Sequence, residues 1–190
     1  MYNSRRIMLG NLRALFSVIL DIALLRRGPE SLPASTALMA CAIGLNGAAS
    51  GLVVSVVPNA SRAWPLQLIV TTIVTLACFH FALRLVQKRE RFTQTITAYF
   101  GMGALFLVAL FPMVGALAPY AANPDPETPP PFALSILFTL AWVWMVIVQV
   151  RIIRAAFEWP YVLAIAFYIA LQLASFLALV LLFGASPRAT

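Results

Sequence analysis

Few side chains in the long apolar stretches of this chain could act as a metal ligand or as an acid–base group. His80 is the chain's single histidine, and Cys78 lies two residues before it. Positions two residues apart point in directions roughly 200° apart on a helix, so these two side chains cannot ligate one metal ion together. Arg84 follows His80 by one helical turn. We interpret His80 as a packing or interfacial side chain rather than as a catalytic residue or a ligand.

The sequence signatures of common catalytic sites are missing. The chain has no Gly-x-Ser-x-Gly turn, no His-Glu-x-x-His pair and no glycine-rich loop followed by Lys-Ser or Lys-Thr. Cys41 and Cys78 both lie in apolar stretches and predict no disulfide framework. Glu158 follows Arg154 by four residues, which predicts a structural ion pair on a helix surface. We therefore predict that the protein is not an enzyme and has no cofactor and no metal site.

Weakly polar side chains recur at helical spacing within the apolar stretches. Membrane helices use such side chains to pack closely and to hydrogen-bond to one another, which is the interpretation we favour. The alternative is a polar pathway for a small solute, although no central Asp, Glu, Lys or Arg marks an ion pathway or a proton relay. The candidate residues of the bundle interior are Asn46, Gln67, Thr71, Thr75, Thr97, Gln149 and Gln172.

Basic side chains are concentrated where the apolar stretches end. One cluster surrounds the single acid Glu90, just before a long stretch without any charge. Basic residues of this kind mark the cytoplasmic ends of membrane helices and attract anionic lipid. The predicted cytoplasmic interaction face consists of Arg84, Lys88, Arg89, Arg91, Arg151 and Arg154.

The composition of the chain predicts the helices on which these residues lie. Of the 190 residues, 62% are hydrophobic and 10% are charged, and the mean hydropathy is +0.93, whereas soluble domains are roughly half apolar. The net charge of +7 lies in short flanks between apolar runs, which indicates a membrane protein rather than a nucleic-acid-binding one. We predict an all-α fold, a polytopic membrane helix bundle that forms a single domain over residues 1–190. Its five transmembrane helices are predicted near residues 35–57, 65–86, 95–118, 132–150 and 160–183, the third ending at Pro119.

The first basic stretch is harder to assign. Apolar residues recur at helical spacing through residues 6–27, with Arg13 and Asp21 among the polar residues between them. The continuous apolar part is shorter than the ~20 residues that a span needs. We predict an amphipathic helix lying in the membrane surface, and the alternative is a short first span. Gly28 and Pro29 are predicted to end this helix.

The basic residues also predict the orientation of the chain. With five spans and a cytoplasmic N-terminus, eleven basic residues lie inside and two, Arg62 and Arg188, lie outside. If residues 6–27 also span, the best division is eight to five. The positive-inside rule therefore predicts a multi-pass protein of the inner membrane with a cytoplasmic N-terminus and a periplasmic C-terminus.

The architecture and two short segments resemble one known family. The basic N-terminal segment, the link RGPESLP at 27–33, the five spans and the segment TITAYFGMGALF at 95–106 together are similar to bacterial members of the Yip domain family. The eukaryotic members carry an acidic N-terminal region with an Asp-Leu-Tyr-Gly-Pro motif, of which this chain has only Gly28 and Pro29. The resemblance implies a non-enzymatic membrane protein that acts through helix packing and partner proteins.

Three hypotheses about function follow. The favoured one is a membrane organising or binding protein whose basic cytoplasmic face contacts anionic lipids, a membrane-protein partner or further copies of the chain, and no nucleic acid. The second is a small transporter, or an accessory subunit of a transport complex, that uses the polar side chains. The third is an enzyme acting on lipids, for which the membrane rim offers only His80, Glu90 and Glu158 as titratable groups.

Overall fold

A computed structural model of the protein describes residues 18, 20–58, 60–122 and 129–184. Over these residues the chain is helical and contains no strand. Each of the five long helices is long and apolar enough to cross a membrane. The chain is therefore a multi-pass membrane helix bundle, and the predicted all-α fold class is confirmed. The five helices are α1 (Thr36–Val56), α2 (Trp64–Leu85), α3 (Phe92–Ala122), α4 (Phe132–Phe157) and α5 (Tyr161–Phe183).

Two helices are longer than the sequence predicted. Pro119 was predicted to end the third span, but α3 continues through Pro112 and Pro119 to Ala122. Each proline removes one backbone donor, yet continuing the helix keeps the remaining backbone groups paired where no water is available. α4 extends beyond residue 150 to Phe157. The predicted end was placed at the first charge, whereas the helix ends where Glu158 adopts a left-handed conformation with φ 56°.

The helices pack in a connected but uneven arrangement. α1 lies along α3 over the most extensive contact in the bundle, and α2 packs mainly on α5. α4 contacts both α3 and α5 and so joins the two pairs. Gly103 on α3 lets α1 approach closely, because a Cβ at this position would lie 2.6 Å from the Asn46 Oδ1. Close approach at small residues is how membrane helices gain packing contacts.

The core lies towards one end of the bundle. We call this the basic end; it contains residues 26–35, residues 86–91 and the turn at 158–160. Phe79, at the centre of an aromatic cluster there, is fully buried. Its ring centroid lies 5.1 Å from that of Tyr99, 6.1 Å from that of Phe157 and 5.4 Å from that of Phe167. Edge-on and offset ring pairs of this kind add to the energy of burial.

The end of the N-terminal segment packs on the bundle. Residues 20–23 are helical. The helix ends where Leu25 adopts a left-handed conformation with φ 60°. After this residue the Arg26 N–H donates to the Asp21 carbonyl at 2.8 Å. Ile22 is buried in a cluster with side chains of α3 and α4. Trp144 of α4 donates its Nε1–H to the Ala23 carbonyl at 3.2 Å.

This packing qualifies the prediction for residues 6–27. Residues 1–17 and 19 lie outside the described residues, so the surface helix stays a prediction over that part. The described part does not only lie at a surface, because Ile22 and Ala23 are buried between α3 and α4. The link that follows, with a 3-10 turn at Pro29–Ser31, is tied to α3 by the Gln94 Nε2–H, which donates to the Leu32 carbonyl at 2.7 Å.

Candidate functional site

Glu158 organises one part of the basic end. Its carboxylate forms ion pairs with the Lys88 Nζ at 2.5 Å and with an Arg91 guanidinium nitrogen at 2.6 Å. The same two cations donate to backbone carbonyls at the end of α4, Lys88 to Phe157 and Arg91 to Ala155, both at 3.2 Å. The turn between α2 and α3 is thereby fastened to the end of α4. Hydrogen bonds and ion pairs to Lys88 and Arg91 hold the pKa of the Glu158 carboxyl below its usual value.

This arrangement corrects one prediction. Glu158 was predicted to pair with Arg154, four residues earlier on the same helix. That spacing brings side chains together only where both residues are helical, and Glu158 is the left-handed cap. Its carboxylate therefore points to the neighbouring turn, and the Arg154 guanidinium instead lies over the Tyr161 ring, 4.5 Å from its centroid. A cation over an aromatic face is attracted by the electrons of the ring.

A second group of basic residues surrounds an open cavity. The cavity, about 400 Å³ in volume, lies between the link after the N-terminal segment and the last turns of α4. Arg26 and Arg27 line it from the link, and Arg151 and Arg154 line it from α4. We call these four residues and the space between them the arginine cavity. Its lining also includes the carboxylate-bearing Glu30.

The charge of the arginine cavity is only partly balanced. Among the described residues, Arg27 is the one of the four with an ion-pair partner, Asp21, at 3.2 Å. Arg26 and Arg154 are exposed and Arg151 is half-buried. Arginine side chains at one opening can donate forked hydrogen bonds to the oxygens of a phosphate or a carboxylate. The site is therefore suited to an anion.

The predicted interaction face thus divides into three parts. Lys88 and Arg91 are engaged with Glu158. Arg151 and Arg154 line the arginine cavity. The remaining two predicted residues of the face, Arg84 and Arg89, are exposed away from that cavity, at the end of α2 and in the 3-10 turn before α3.

The arginine cavity also contains residues that the sequence analysis did not assign to a site. Arg26 and Arg27 were used there only to predict orientation. The sequence signal is the Arg-Arg pair directly before Gly28 and Pro29, where the chain must turn back towards the bundle. The partners on α4 are more than 120 residues away in sequence, so no local pattern could have connected them.

The polar residues predicted for the bundle interior fall into different environments. Thr75, Thr97 and Gln149 are buried, and Asn46, Gln67 and Thr71 are half-buried. Gln172 is exposed, so its predicted interior position is wrong. Gln172 follows Tyr168 by one turn and so lies near the same face of α5, but no residue of α5 beyond Leu171 is buried. The structure brings four of the seven around one cavity, namely Asn46, Thr71, Thr75 and Gln149.

Neither His80 nor the cysteines form a ligand cluster. His80 is exposed, with its ring centroid 5.6 Å from that of Phe92 and 6.0 Å from that of Phe81. Both cysteines are free thiols. Among the described residues, no group of three or more His, Cys, Asp or Glu side chains could hold a metal ion.

Comparisons with known proteins add no assignment. No family model matches the chain, and neither a curated protein nor a solved structure matches it.

Proposed function

We propose that the chain is a non-enzymatic integral membrane protein of the bacterial inner membrane whose basic end faces the cytoplasm and binds the headgroups of anionic lipids. The N-terminus is cytoplasmic and the C-terminus periplasmic in this proposal. Its support is the division of basic residues, eleven on the proposed cytoplasmic side against two on the other. The architectural resemblance to bacterial Yip domain proteins agrees with a non-enzymatic role.

The arginine cavity is the observation that carries the proposal. Four arginines converge on a space of about 400 Å³ at the end of a membrane helix bundle. Guanidinium forks match phosphate oxygens, and arginine keeps its charge at every physiological pH. In the proposed orientation the cavity lies at the cytoplasmic ends of membrane helices, near the phosphate groups of phospholipids, and each basic residue near an anionic leaflet contributes ~1 kcal/mol of attraction. Phosphatidylglycerol and cardiolipin carry the required charge.

The position of the arginine cavity favours a lipid over a protein partner. The link that forms one wall is buried at Pro29 and Leu32, so a headgroup enters beside a wall already packed on α3 and α4. Arg151 is half-buried on α4, so its side chain has less freedom before any ligand arrives. A site whose donors are oriented in advance loses less entropy on binding.

The test compares two double variants of equal charge. Arg151→Gln with Arg154→Gln removes half of the arginine cavity, and Arg84→Gln with Arg89→Gln removes two exposed charges outside it. Each leaves nine basic residues inside against two outside, so the orientation of the chain should survive in both. Phosphatidylglycerol and cardiolipin that co-purify with each protein from the same host membranes are extracted and quantified per protein molecule.

We expect the first double variant to lose at least half of the co-purifying anionic lipid and the second to retain nearly all of it. Part of the wild-type lipid should be released as salt rises, since the Debye length is about 8 Å at physiological ionic strength and shorter above it. Equal losses in the two variants would mean diffuse attraction by the whole basic face. Full retention in both, with a co-purifying protein lost from the first, would replace the lipid by a protein partner.

A further inference from the structure

The two walls of the arginine cavity carry different charges. The wall formed by α4 contributes Arg151 and Arg154 and no acid. Residues three apart on a helix lie on one face, so the two side chains start from the same side of α4. The Tyr161 ring beside Arg154 attracts the guanidinium but does not neutralise it. This wall therefore carries two positive charges.

The wall formed by the link is close to neutral. Arg27 is paired with Asp21 at 3.2 Å. Arg26 has no ion-pair partner among the described residues, and it is exposed. The Glu30 carboxylate also lines the cavity and lies against Gly28, where an added Cβ would collide with it. Three arginines without an ion pair and one carboxylate leave the lining with a net charge of +2.

We propose that the arginine cavity takes cardiolipin in preference to phosphatidylglycerol, with one phosphate at the α4 wall and the other at Arg26. This inference rests on the proposed function and names the lipid that the same site selects. Cardiolipin carries two singly charged phosphates, which match the net charge of the lining, whereas phosphatidylglycerol carries one. Two separate phosphatidylglycerol molecules would each lose translational freedom on binding. The second phosphate of cardiolipin is already tethered to the first, so its binding is intramolecular.

The size of the cavity and its single free acid favour cardiolipin over phosphatidic acid as well. The volume of about 400 Å³ far exceeds the share of one water molecule in the liquid, about 30 Å³, so two phosphates have room. Phosphatidic acid carries its charge on one phosphate and would leave Arg26 on the other wall without a partner. The Glu30 carboxylate can accept a hydrogen bond from the hydroxyl of the glycerol that bridges the two phosphates of cardiolipin. The phosphatidic acid headgroup has no such hydroxyl.

The test compares two single variants of equal charge. Arg26→Gln removes the proposed partner of the second phosphate, and Arg89→Gln removes an exposed charge outside the cavity. Wild type and both variants are purified in detergent, cleared of host lipid and titrated with cardiolipin, phosphatidylglycerol or phosphatidic acid. Phosphatidylcholine is the uncharged reference. Native mass spectrometry counts the bound lipids and gives the Kd of the first one.

We expect the wild type to bind one cardiolipin with a Kd about tenfold lower than that of either other anionic lipid. In Arg26→Gln the Kd for cardiolipin should rise about fivefold, the Kd for phosphatidylglycerol should rise less, and Arg89→Gln should resemble the wild type. An advantage of cardiolipin that persists in Arg26→Gln would assign it to the additional acyl chains and overturn the inference.

The remaining outcomes separate this inference from the proposed function. If cardiolipin and phosphatidylglycerol bind equally, and both bind better than phosphatidylcholine, the preference is wrong and the proposed function stands. Phosphatidic acid that binds as tightly as cardiolipin would replace the two phosphates by a single doubly charged one. Binding of all three anionic lipids at the level of phosphatidylcholine would overturn both proposals.

Discussion

In the half of the five helices next to the basic end, Phe79, Leu83 and Ile153 are fully buried. In the opposite half, the only buried side chains among the described residues are those of Ala49 and Leu110. The ion pairs at Glu158 and the docked N-terminal link also belong to the basic end. The opposite half exposes large apolar side chains such as Leu140 and Phe176, which a bilayer would cover. The stabilising contacts between helices are therefore concentrated in one half of the bundle.

This difference also locates the two cavities. The arginine cavity lies on the charged surface of the well-packed half, and the buried Ile152 and Ile153 fix the part of α4 that bears Arg151 and Arg154. The cavity lined by Asn46, Thr71, Thr75 and Gln149 lies where α2 makes few contacts with α1 and α3. Rigid elements with an opening beside them are where binding sites are expected. The predictions that follow test the difference between the halves, from the largest expected effect to the smallest.

The first prediction compares two phenylalanines, one from each half. Phe79→Ala removes a fully buried ring that contacts three other aromatic residues. It should lower the free energy of unfolding by about 3–5 kcal/mol. Phe176→Ala removes a ring that is 62% exposed and should change the free energy of unfolding by about 0.5 kcal/mol or less. Unfolding in bicelles or micelles measures both. Equal losses would mean that the two halves are equally well packed in the bilayer.

The second prediction concerns the docked end of the N-terminal segment. Ile22→Ala removes a side chain that is 2% exposed, and Leu24→Ala removes one that is 53% exposed. The first change should cost about 2 kcal/mol or more of local stability because it leaves a gap between α3 and α4. Hydrogen exchange of the amides of residues 24–27 should accelerate in Ile22→Ala and stay near the wild-type rate in Leu24→Ala. Unchanged exchange in Ile22→Ala would mean that the end of the N-terminal segment is held by its hydrogen bonds alone.

The third prediction tests those hydrogen bonds. Trp144→Phe keeps most of the aromatic side chain and removes the Nε1–H that donates to the Ala23 carbonyl. The expected cost is about 1 kcal/mol, the usual net value of one hydrogen bond. Trp142→Phe on the same helix is the matched control, since Trp142 is similarly exposed, 49% against 41% for Trp144. Exchange at residues 24–27 should respond only to the first variant, and a response of equal size to both would assign the effect to α4 as a whole.

The smallest effect is expected at Glu158. The folded pKa of its carboxyl is lowered by Lys88 and Arg91, so its stabilising contribution is fully present above the unfolded pKa. That contribution is lost as the pH falls through the lowered folded pKa. Since the Glu158 side chain is 58% exposed, solvent screens the pairs and the effect is small. The difference in unfolding temperature between wild type and Glu158→Gln should therefore shrink on acidification from about pH 6 to about pH 3. A difference that stays constant would contradict the ion pairs.

Sequence reasoning recovered the helices because their apolar lengths are set by the thickness of the membrane. The starts of α1, α2, α4 and α5 fall within a residue of the predicted ones. It failed at the C-terminal ends of α3 and α4, where proline and arginine are compatible with helix in this setting. It also failed at Gln172, because the helical period predicts which face a side chain shares with Tyr168 but not that the burial of α5 ends at Leu171.

The candidate sites were predicted only in part, for one physical reason. Arg151 and Arg154 were assigned to the basic face, but their grouping with Arg26 and Arg27 depends on how the N-terminal link packs. Glu158 forms ion pairs with Lys88 and Arg91 only because α4 ends at Glu158. Local spacing predicts which residues share one helix face, whereas these sites are formed between elements that are distant in sequence.

The most direct test of the account is the side of the membrane that the basic end faces. The native thiols are first removed by Cys41→Ser and Cys78→Ser. In this background, Glu90→Cys places a single thiol in the turn between α2 and α3, and a second variant, Ser61→Cys, places it between α1 and α2. Both positions are exposed. An impermeant maleimide is applied to intact cells and to inside-out vesicles. We expect Glu90→Cys to react only in the vesicles and Ser61→Cys only in the cells. Reaction of Glu90→Cys in intact cells would contradict the proposed orientation and, with it, the binding of cytoplasmic-leaflet lipids at the arginine cavity.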